Sequence, residues 1–214
     1  MKPVLLLFIF MGLAPLAFAQ HYEWKLKKES KDTRVYFRKS ADSRINEIKI
    51  ETEITGSLHA VVEALRDSPM QKEWLYKCIE SKRLEKVSDW ESYNYVRFDF
   101  PWPLDDRDYI AHSMLRQDPK TGVVHIQLLA VPHFIPEKKD VVRMRIMEVN
   151  WKLTPLSNDS VKVENHVKSD PGGSLPTWLI NMTLDQGPLN SMNNLKEFIK
   201  KDKYQHAKLS FLKE

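Results

Sequence analysis

Apolar and polar residues alternate strictly over residues 47–54 of the chain. Ile48, Ile50, Thr52 and Ile54 alternate there with glutamate and lysine. A period of two places the two sets on opposite faces of a strand. The pattern therefore predicts a half-buried antiparallel strand, and residues 34–38 before it are its predicted partner.

The hydrophobic period then lengthens to that of a helix. Leu58, Val61, Val62 and Leu65 recur at helical spacing, and Ser57 stands where a capping hydroxyl is expected. After Pro69, residues 71–79 predict one or two further helical turns, which would place Cys78 on a helix.

Strand patterns return after residue 82 and continue through the middle of the chain. Turn residues such as Asp118, Pro119 and Gly122 separate them. Consecutive strands joined by short turns predict an antiparallel meander. The predicted strands are 82–87, 93–100, 109–116, 123–131, 141–153 and 160–168.

The chain ends on a long predicted helix over residues 175–201. The sequence Asp-Pro-Gly-Gly at 170–173 forces a turn before it, and Gly187-Pro188 should bend it. Its apolar residues recur near helical spacing and are expected to cover the sheet. They include Trp178, Met182, Leu189 and Met192.

These elements together predict an α+β fold in which one long helix covers a curved antiparallel sheet. No other element is long enough to cover the apolar face of such a sheet. A curved sheet closed by one helix encloses a cavity, which is a natural site for a ligand. Residues 20–214 are expected to form this single domain.

The first nineteen residues have the order of a secretory signal peptide. Lys2 precedes an apolar run, and Ala17-Phe18-Ala19 has the small-x-small pattern of a cleavage site. The alternative is a membrane anchor, but about 15 apolar residues are short for a span. We expect a mature protein that begins at Gln20 and is periplasmic or secreted.

Net charge and cysteine content limit the binding partners and the chemistry that we expect of the protein. The net charge is +4, or +3 without Lys2, which suits contact with an anionic membrane surface but does not demand a nucleic acid. Cys78 is the only cysteine, and no metal or nucleophile motif occurs. We therefore expect no nucleic-acid partner, no cofactor and no metal.

Two groups of polar residues have a possible chemical role that we consider less favoured. Asp105, Asp106 and Asp108 form an acidic cluster without a nearby histidine. His112 and His125 fall on neighbouring predicted strands and would have to meet to act together. Without a nucleophile, a base and an orienting group, these residues do not define a catalytic site.

Three segments resemble the steroidogenic acute regulatory-related lipid transfer (START) domain family. Residues 101–109, Pro-Trp-Pro-Leu-Asp-Asp-Arg-Asp-Tyr, are similar to its proline-aromatic-proline and Arg-Asp-aromatic signature. Val142-Arg143 followed by Trp151 resembles a second strand motif. Residues 170–181 resemble the entry to the family's final helix. The three occur in family order, and the resemblance covers nearly the whole mature chain.

The resemblance implies a helix-grip fold with one internal tunnel for a sterol, phospholipid, ceramide or other apolar molecule. The final helix would be the lid of this tunnel, and Trp178 is large enough to seal the tunnel entrance. In sterol- and phosphatidylcholine-binding members a second arginine follows the Arg-Asp-aromatic motif on the same strand. Here residues 110–114 contain none, which argues against a phospholipid headgroup pairing at that position.

Alternation along the predicted strand 109–116 selects the candidate binding residues. Arg107, Tyr109 and Ser113 share one face, and if that face points inward the two hydroxyls meet the polar end of a ligand. Arg107-Asp108 either presents a charge to the ligand or forms a structural ion pair, and we favour the ion pair.

The leading hypothesis is a monomeric carrier or sensor of a hydrophobic molecule that makes transient membrane contact and is not an enzyme. One alternative is an enzyme, cyclase- or hydrolase-like, that acts on a hydrophobic substrate in the same cavity. Another is an interaction module whose interior is filled with large side chains and has no cavity.

Overall fold

The computed structural model describes residues 22–30, 32–156 and 159–213. The predicted signal peptide, residues 1–19, lies outside the described residues. No helix within the described ranges is long and apolar enough to cross a membrane.

Ten strands and four α-helices make up the described chain, with one 3₁₀ helix at Ser68–Glu73. The strands are β1 Lys25–Glu29, β2 Thr33–Arg38, β3 Glu47–Thr55, β4 Cys78–Lys86, β5 Glu91–Phe98, β6 Asp106–Gln117, β7 Val124–Ala130, β8 Val141–Arg143, β9 Ile146–Leu156 and β10 Ser160–Asp170. The helices are α1 Leu58–Arg66, α2 Thr177–Thr183, α3 Gln186–Phe198 and α4 Asp202–Gln205.

Nine of the strands form one antiparallel sheet in the order β1-β2-β3-β10-β9-β7-β6-β5-β4. The sequence-adjacent pairs β4-β5-β6-β7 and β9-β10 follow the predicted meander, whereas β3 pairs with β10 far along the chain. The prediction of an α+β fold with a large antiparallel sheet and a C-terminal helix is confirmed.

The first predicted elements form as the residue pattern indicates. Ile48, Ile50 and Ile54 are buried on β3, and the exposed Glu53 points the other way. The hydroxyl of Ser57 accepts a hydrogen bond from the Ala60 amide at 3.1 Å, which caps α1.

Two predictions in the middle of the chain are wrong. The helical turn after Pro69 ends at Glu73, so Cys78 begins β4 instead of lying on a helix. The single strand predicted over 141–153 is two strands, because β8 pairs in parallel with β6 while β9 pairs with β7 and β10. A period of two does not reveal such a change of partner.

The long terminal helix is divided in two. Leu184 ends α2, and α3 begins at Gln186, so Pro188 falls in the first turn of α3, where its missing N–H leaves no broken hydrogen bond. The interruption predicted at Gly187-Pro188 therefore lies two to three residues earlier and separates two helices.

The buried apolar residues form two clusters instead of one. The larger cluster joins α1, α3, β3 and β10, and includes Ile50, Val163 and Leu195. The smaller cluster, with Val96, Tyr109 and Met147, lies further along β5, β6 and β9. This separation leaves room between the sheet and the C-terminal helices.

The turn before α2 requires glycine. Gly172 and Gly173 have φ of 67° and 71°, and a Cβ on Gly173 would lie 3.1 Å from Nη2 of Arg107. We predict that Gly173→Ala lowers the free energy of unfolding by about 1–2 kcal/mol, the usual cost of a left-handed residue with a Cβ. Urea unfolding measures it.

Gly187→Ala is the matched control, because no atom lies within 4 Å of its Cβ position and it lies in α3. This variant should be neutral or more stable by roughly 0.5–1 kcal/mol. Equal stability of the Gly173 and Gly187 variants would contradict the role of the turn.

Candidate ligand-binding site

A cavity of about 630 Å³ lies between the inner face of the sheet and helices α2 and α3. Its size falls in the range of sites that hold a drug-sized molecule. Apolar side chains of the sheet and the helices make up most of the interior wall, among them Leu65, Leu75, Phe98, Leu115, Ile126, Leu128, Met147, Val149, Val167, Leu179, Ile180 and Leu184. The alternative of an interior filled with side chains does not fit this cavity.

Strand β6 supplies part of the wall through alternate residues. Tyr109, Ser113 and Leu115 line the cavity, while Asp108 and His112 fall on the other face by alternation. The inward direction of this face, left open by the sequence, is therefore settled. Whether the Tyr109 and Ser113 hydroxyls contact a ligand stays a prediction.

Tyr109 is enclosed by the smaller core cluster. Desolvation raises the pKa of its phenol far above the ordinary value, so the hydroxyl is protonated at neutral pH. Neither Tyr109 nor Ser113 has a side-chain hydrogen bond to another described residue. Both groups are therefore uncharged and can donate to a bound molecule.

Arg107 does not line the cavity, so the structure does not support its predicted place in the ligand site. Its guanidinium donates to the Asp105 carbonyl, lies 4.4 Å from the centroid of the Phe100 ring, and is almost fully buried. Burial lowers its pKa. It therefore supports the loop before β6 instead of facing a ligand.

The expected ion pair exists with a different partner. Asp108 pairs with Arg143 of β8 through Nε–Oδ1 and Nη2–Oδ2 distances of 2.6 and 3.1 Å, and both side chains are buried. Arg107 and Asp108 cannot form this pair because neighbouring strand residues point to opposite faces. Arg143 also donates to the carbonyls of Pro132 and Ile135, so one residue holds β6, β8 and the loop after β7 together.

The predicted cover residues of the C-terminal helix divide between two environments. Trp178 and Met182 are 66% and 64% exposed and do not line the cavity. The expectation that they cover it is wrong. Leu189 and Met192 pack against the larger core cluster and do not line the cavity either.

Other faces of the two helices cover the cavity. Leu179, Ile180 and Thr183 of α2 line it, followed by Gly187, Pro188 and Ser191 of α3. The break between α2 and α3 explains the error, because a period counted through 175–201 assumes one continuous helix.

Side-chain amides and hydroxyls attach the two helices to the rest of the fold. The Asn181 side chain accepts from the Asn46 amide at 2.8 Å and donates to the Arg44 carbonyl at 3.1 Å. The Ser191 hydroxyl accepts from the Tyr76 amide at 3.0 Å, and Asn194 donates to the Trp74 carbonyl. Helix α2 has no buried residue, so the Asn181 contacts are a large part of its attachment.

The candidate reactive groups do not converge. His112 contacts Glu91 at 2.6 Å and stacks on Tyr93, while His125 lies opposite Arg116, so the two histidines do not meet. In the described ranges no three His, Cys, Asp or Glu residues are placed to hold a metal. Burial raises the pKa of the Cys78 thiol to about 11, which disfavours the thiolate.

Sequence reasoning missed several polar residues of the wall, and Asn165 is the one set among apolar neighbours. Asn165 lies on β10, lines the cavity and shares its inward face with Val163 and Val167. A polar residue within an alternating row of valines was the available signal. Trp74 is buried in the larger cluster and also lines the cavity.

Comparison with known proteins places this geometry in a family. The family model described as the START domain matches residues 11–204. An uncharacterized protein of Pseudomonas aeruginosa is 31% identical over 89% of this chain and 92% of its own length. The mouse phosphatidylcholine transfer protein is 28% identical over 87% of this chain and 86% of its own.

A solved structure agrees with these sequence relatives. The STAR-related lipid transfer protein of Xanthomonas axonopodis has a TM-score of 0.77 and 29% identity, covering 83% of this chain and 99% of its own. The relatives that are named for a function are mainly lipid-transfer proteins. The chain belongs to the START domain family, whose members generally bind and transfer lipids or other hydrophobic ligands.

Proposed function

We propose that this protein binds a lipid or another hydrophobic small molecule in the cavity and carries it without chemical change. The observation that carries the proposal is the apolar cavity of about 630 Å³ between the sheet and the two C-terminal helices. Removing the apolar surface of a ligand from water contributes roughly 25 cal/mol per Å². Family membership supports the same conclusion.

The polar groups of the cavity suit binding better than catalysis. The interior wall offers uncharged polar groups, among them the hydroxyls of Tyr109 and Ser113 and the amides of Asn94 and Asn165. Charged lining residues flank the two ends of the β4–β5 hairpin, as with Lys77 and Asp99 at one end. An acid and a base that face one substrate are the usual requirement for proton transfer.

We also propose an exported carrier, on the evidence of the residues at the start of the chain. The apolar run and Ala17-Phe18-Ala19 support cleavage and export to the periplasm or the medium. The intact mass of the protein recovered from its native compartment tests this, since retention of residues 1–19 would indicate an anchor.

Helix α2 is the proposed gate of the cavity. It covers the cavity with half-buried side chains only and is attached through Asn181, whereas α3 has four buried residues. An element with few buried contacts opens at a low free-energy cost. Opening of α2 alone would expose the cavity without disrupting the sheet.

The same end of the cavity carries the proposed membrane contact. Trp102 is 93% exposed in the loop between β5 and β6, where Pro101 and Leu104 line the cavity. Trp178 is exposed on α2. Tryptophan favours the membrane–water interface, and two such side chains beside one opening would hold it against a bilayer.

Filling the cavity should abolish ligand carriage. Ser113→Phe adds a ring to the wall without breaking a side-chain hydrogen bond, so we expect loss of most co-purifying ligand and a nearly unchanged melting temperature. Native mass spectrometry with solvent extraction measures the ligand. Met114→Phe, the next residue of β6 and outside the lining, is the control. Equal ligand content in the two variants would contradict carriage in this cavity.

Removing the attachment of α2 should loosen that helix alone. We predict that Asn181→Ala makes amide hydrogen exchange in α2 about tenfold faster, the effect of losing one or two hydrogen bonds. Exchange in α3 should not change, because Ser191 and Asn194 hold it. The control is Asn193→Ala, an exposed asparagine of α3. If Asn181→Ala and Asn193→Ala had the same effect on exchange in α2 and α3, the proposal that α2 is the gate would be refuted.

Removing the exposed tryptophans should weaken membrane binding. We predict that Trp102→Ala and Trp178→Ala each lower affinity for phosphatidylglycerol-containing vesicles about ten- to hundredfold, given about 1.5–3 kcal/mol for a large buried side chain. Sedimentation with vesicles measures it, and the melting temperature should not fall. Leu26→Ala, an exposed apolar residue of β1, is the control. Binding that falls equally in all three variants would argue against a contact at this end.

A further inference from the structure

Asn165 is a buried amide without a partner in an otherwise apolar part of the wall. It lies midway along β10, opposite Ile50 on one side and Trp151 on the other, and is 3% exposed. Its Nδ2 atom has no hydrogen-bond partner in the structure, and its side chain forms no hydrogen bond with another described residue. Nevertheless it lines the cavity.

Such a group is costly unless something satisfies it. A buried polar group without a hydrogen bond costs about 1–3 kcal/mol, and native proteins rarely retain one. Asn94 shows the ordinary arrangement in the same wall. Its side chain accepts from Ser68 at 2.5 Å and donates to Ser92 at 3.0 Å. The two asparagines are similarly buried, so burial alone does not explain why Asn165 lacks the partners that Asn94 has.

A second donor has the same unsatisfied state. Nε1 of Trp74 is buried without a partner, although Trp74 lines the cavity. An indole N–H can only donate, and a carboxamide can both donate and accept. These unsatisfied groups would pair with a ligand group that accepts hydrogen bonds.

The positions of the charged lining residues favour an uncharged ligand group over a charged one beside Asn165. On the lining, Arg66, Arg83, Lys86 and Asp89 lie near the turn between β4 and β5, and Lys77 and Asp99 lie at the other end of that hairpin. Asn165 is four strands from β5 in the sheet, about 19 Å along its curved surface. The residues of β10 that line the cavity are Asn165, Val167 and Ser169, and none of them is charged. A charged headgroup buried beside Asn165 would therefore lack a counterion on this face of β10 and would be strongly disfavoured.

We propose that Asn165 binds the uncharged polar group of an otherwise apolar ligand, such as an ester or amide carbonyl or a hydroxyl. This inference rests on the proposed function and adds to it a ligand class and the position of its polar group. The unsatisfied amide is then a specificity determinant that a hydrocarbon wall would lack.

The test uses Asn165→Leu with three probes that share a long alkyl chain: methyl palmitate, palmitate and heptadecane. Displacement of Nile red from the purified full-length protein gives each affinity. Asn165→Leu should lower affinity for methyl palmitate about three- to tenfold, the effect of one hydrogen bond. Affinity for heptadecane should not change, and wild type should bind palmitate more weakly than its methyl ester.

Asn94→Leu is the matched control, because it removes an amide that is already satisfied by Ser68 and Ser92. We expect this variant to lower the melting temperature, whereas Asn165→Leu should leave it unchanged or raise it. A stability readout therefore separates a structural amide from one that is reserved for a ligand.

The outcomes separate the two proposals. If no probe displaces the dye from wild type, the proposed function fails, and this inference fails with it. If the probes bind but Asn165→Leu weakens none of them, or weakens all of them equally, only the assignment of Asn165 is overturned. Tighter binding of palmitate than of methyl palmitate, lost in Asn165→Leu, would overturn the uncharged ligand class.

Discussion

The fold depends on a sheet whose inner face is larger than its own helices can fill. Close packing is achieved at the α1 end, where Ile50, Val163 and Leu195 meet, and again in the smaller cluster around Tyr109. Between them the walls face a cavity, and atoms that line an empty space lose contacts that a packed core would give. Under the proposed function a hydrophobic ligand would restore those contacts, so that ligand binding would also complete the packing of the core.

The cavity also requires a frame that does not collapse. The buried pair of Asp108 and Arg143 joins β6 to β8, and Arg143 holds the loop after β7 through the Pro132 carbonyl. A buried pair contributes little stability relative to apolar packing, but it permits few alternative arrangements. Through these bonds the pair holds β6, β8 and the loop after β7 in one arrangement.

Much of the fold could be predicted from the sequence because it depends on local periods. The alternation at Ile48–Ile54 and the Ser57 cap produce β3 and α1 as expected. The site was harder to predict. The direction in which Trp178 points depends on where α2 ends, and the partner of Asp108 lies 35 residues away. Neither fact is contained in a period of two or of 3.6.

The role of Asn165 could not be predicted from the sequence for the same reason, because it depends on contacts in three dimensions and not on a local period. In a strand, one polar residue among valines is usually read as a local irregularity, and only the three-dimensional contacts show that its amide is unsatisfied. Stability alone would favour a valine or leucine there, because an apolar side chain would carry no unmade hydrogen bond. The proposed role of Asn165 accounts for this choice of residue, because in the bound state the ligand would supply the missing partner. Selectivity for a polar group on the ligand would then be obtained at the cost of lower stability of the ligand-free protein.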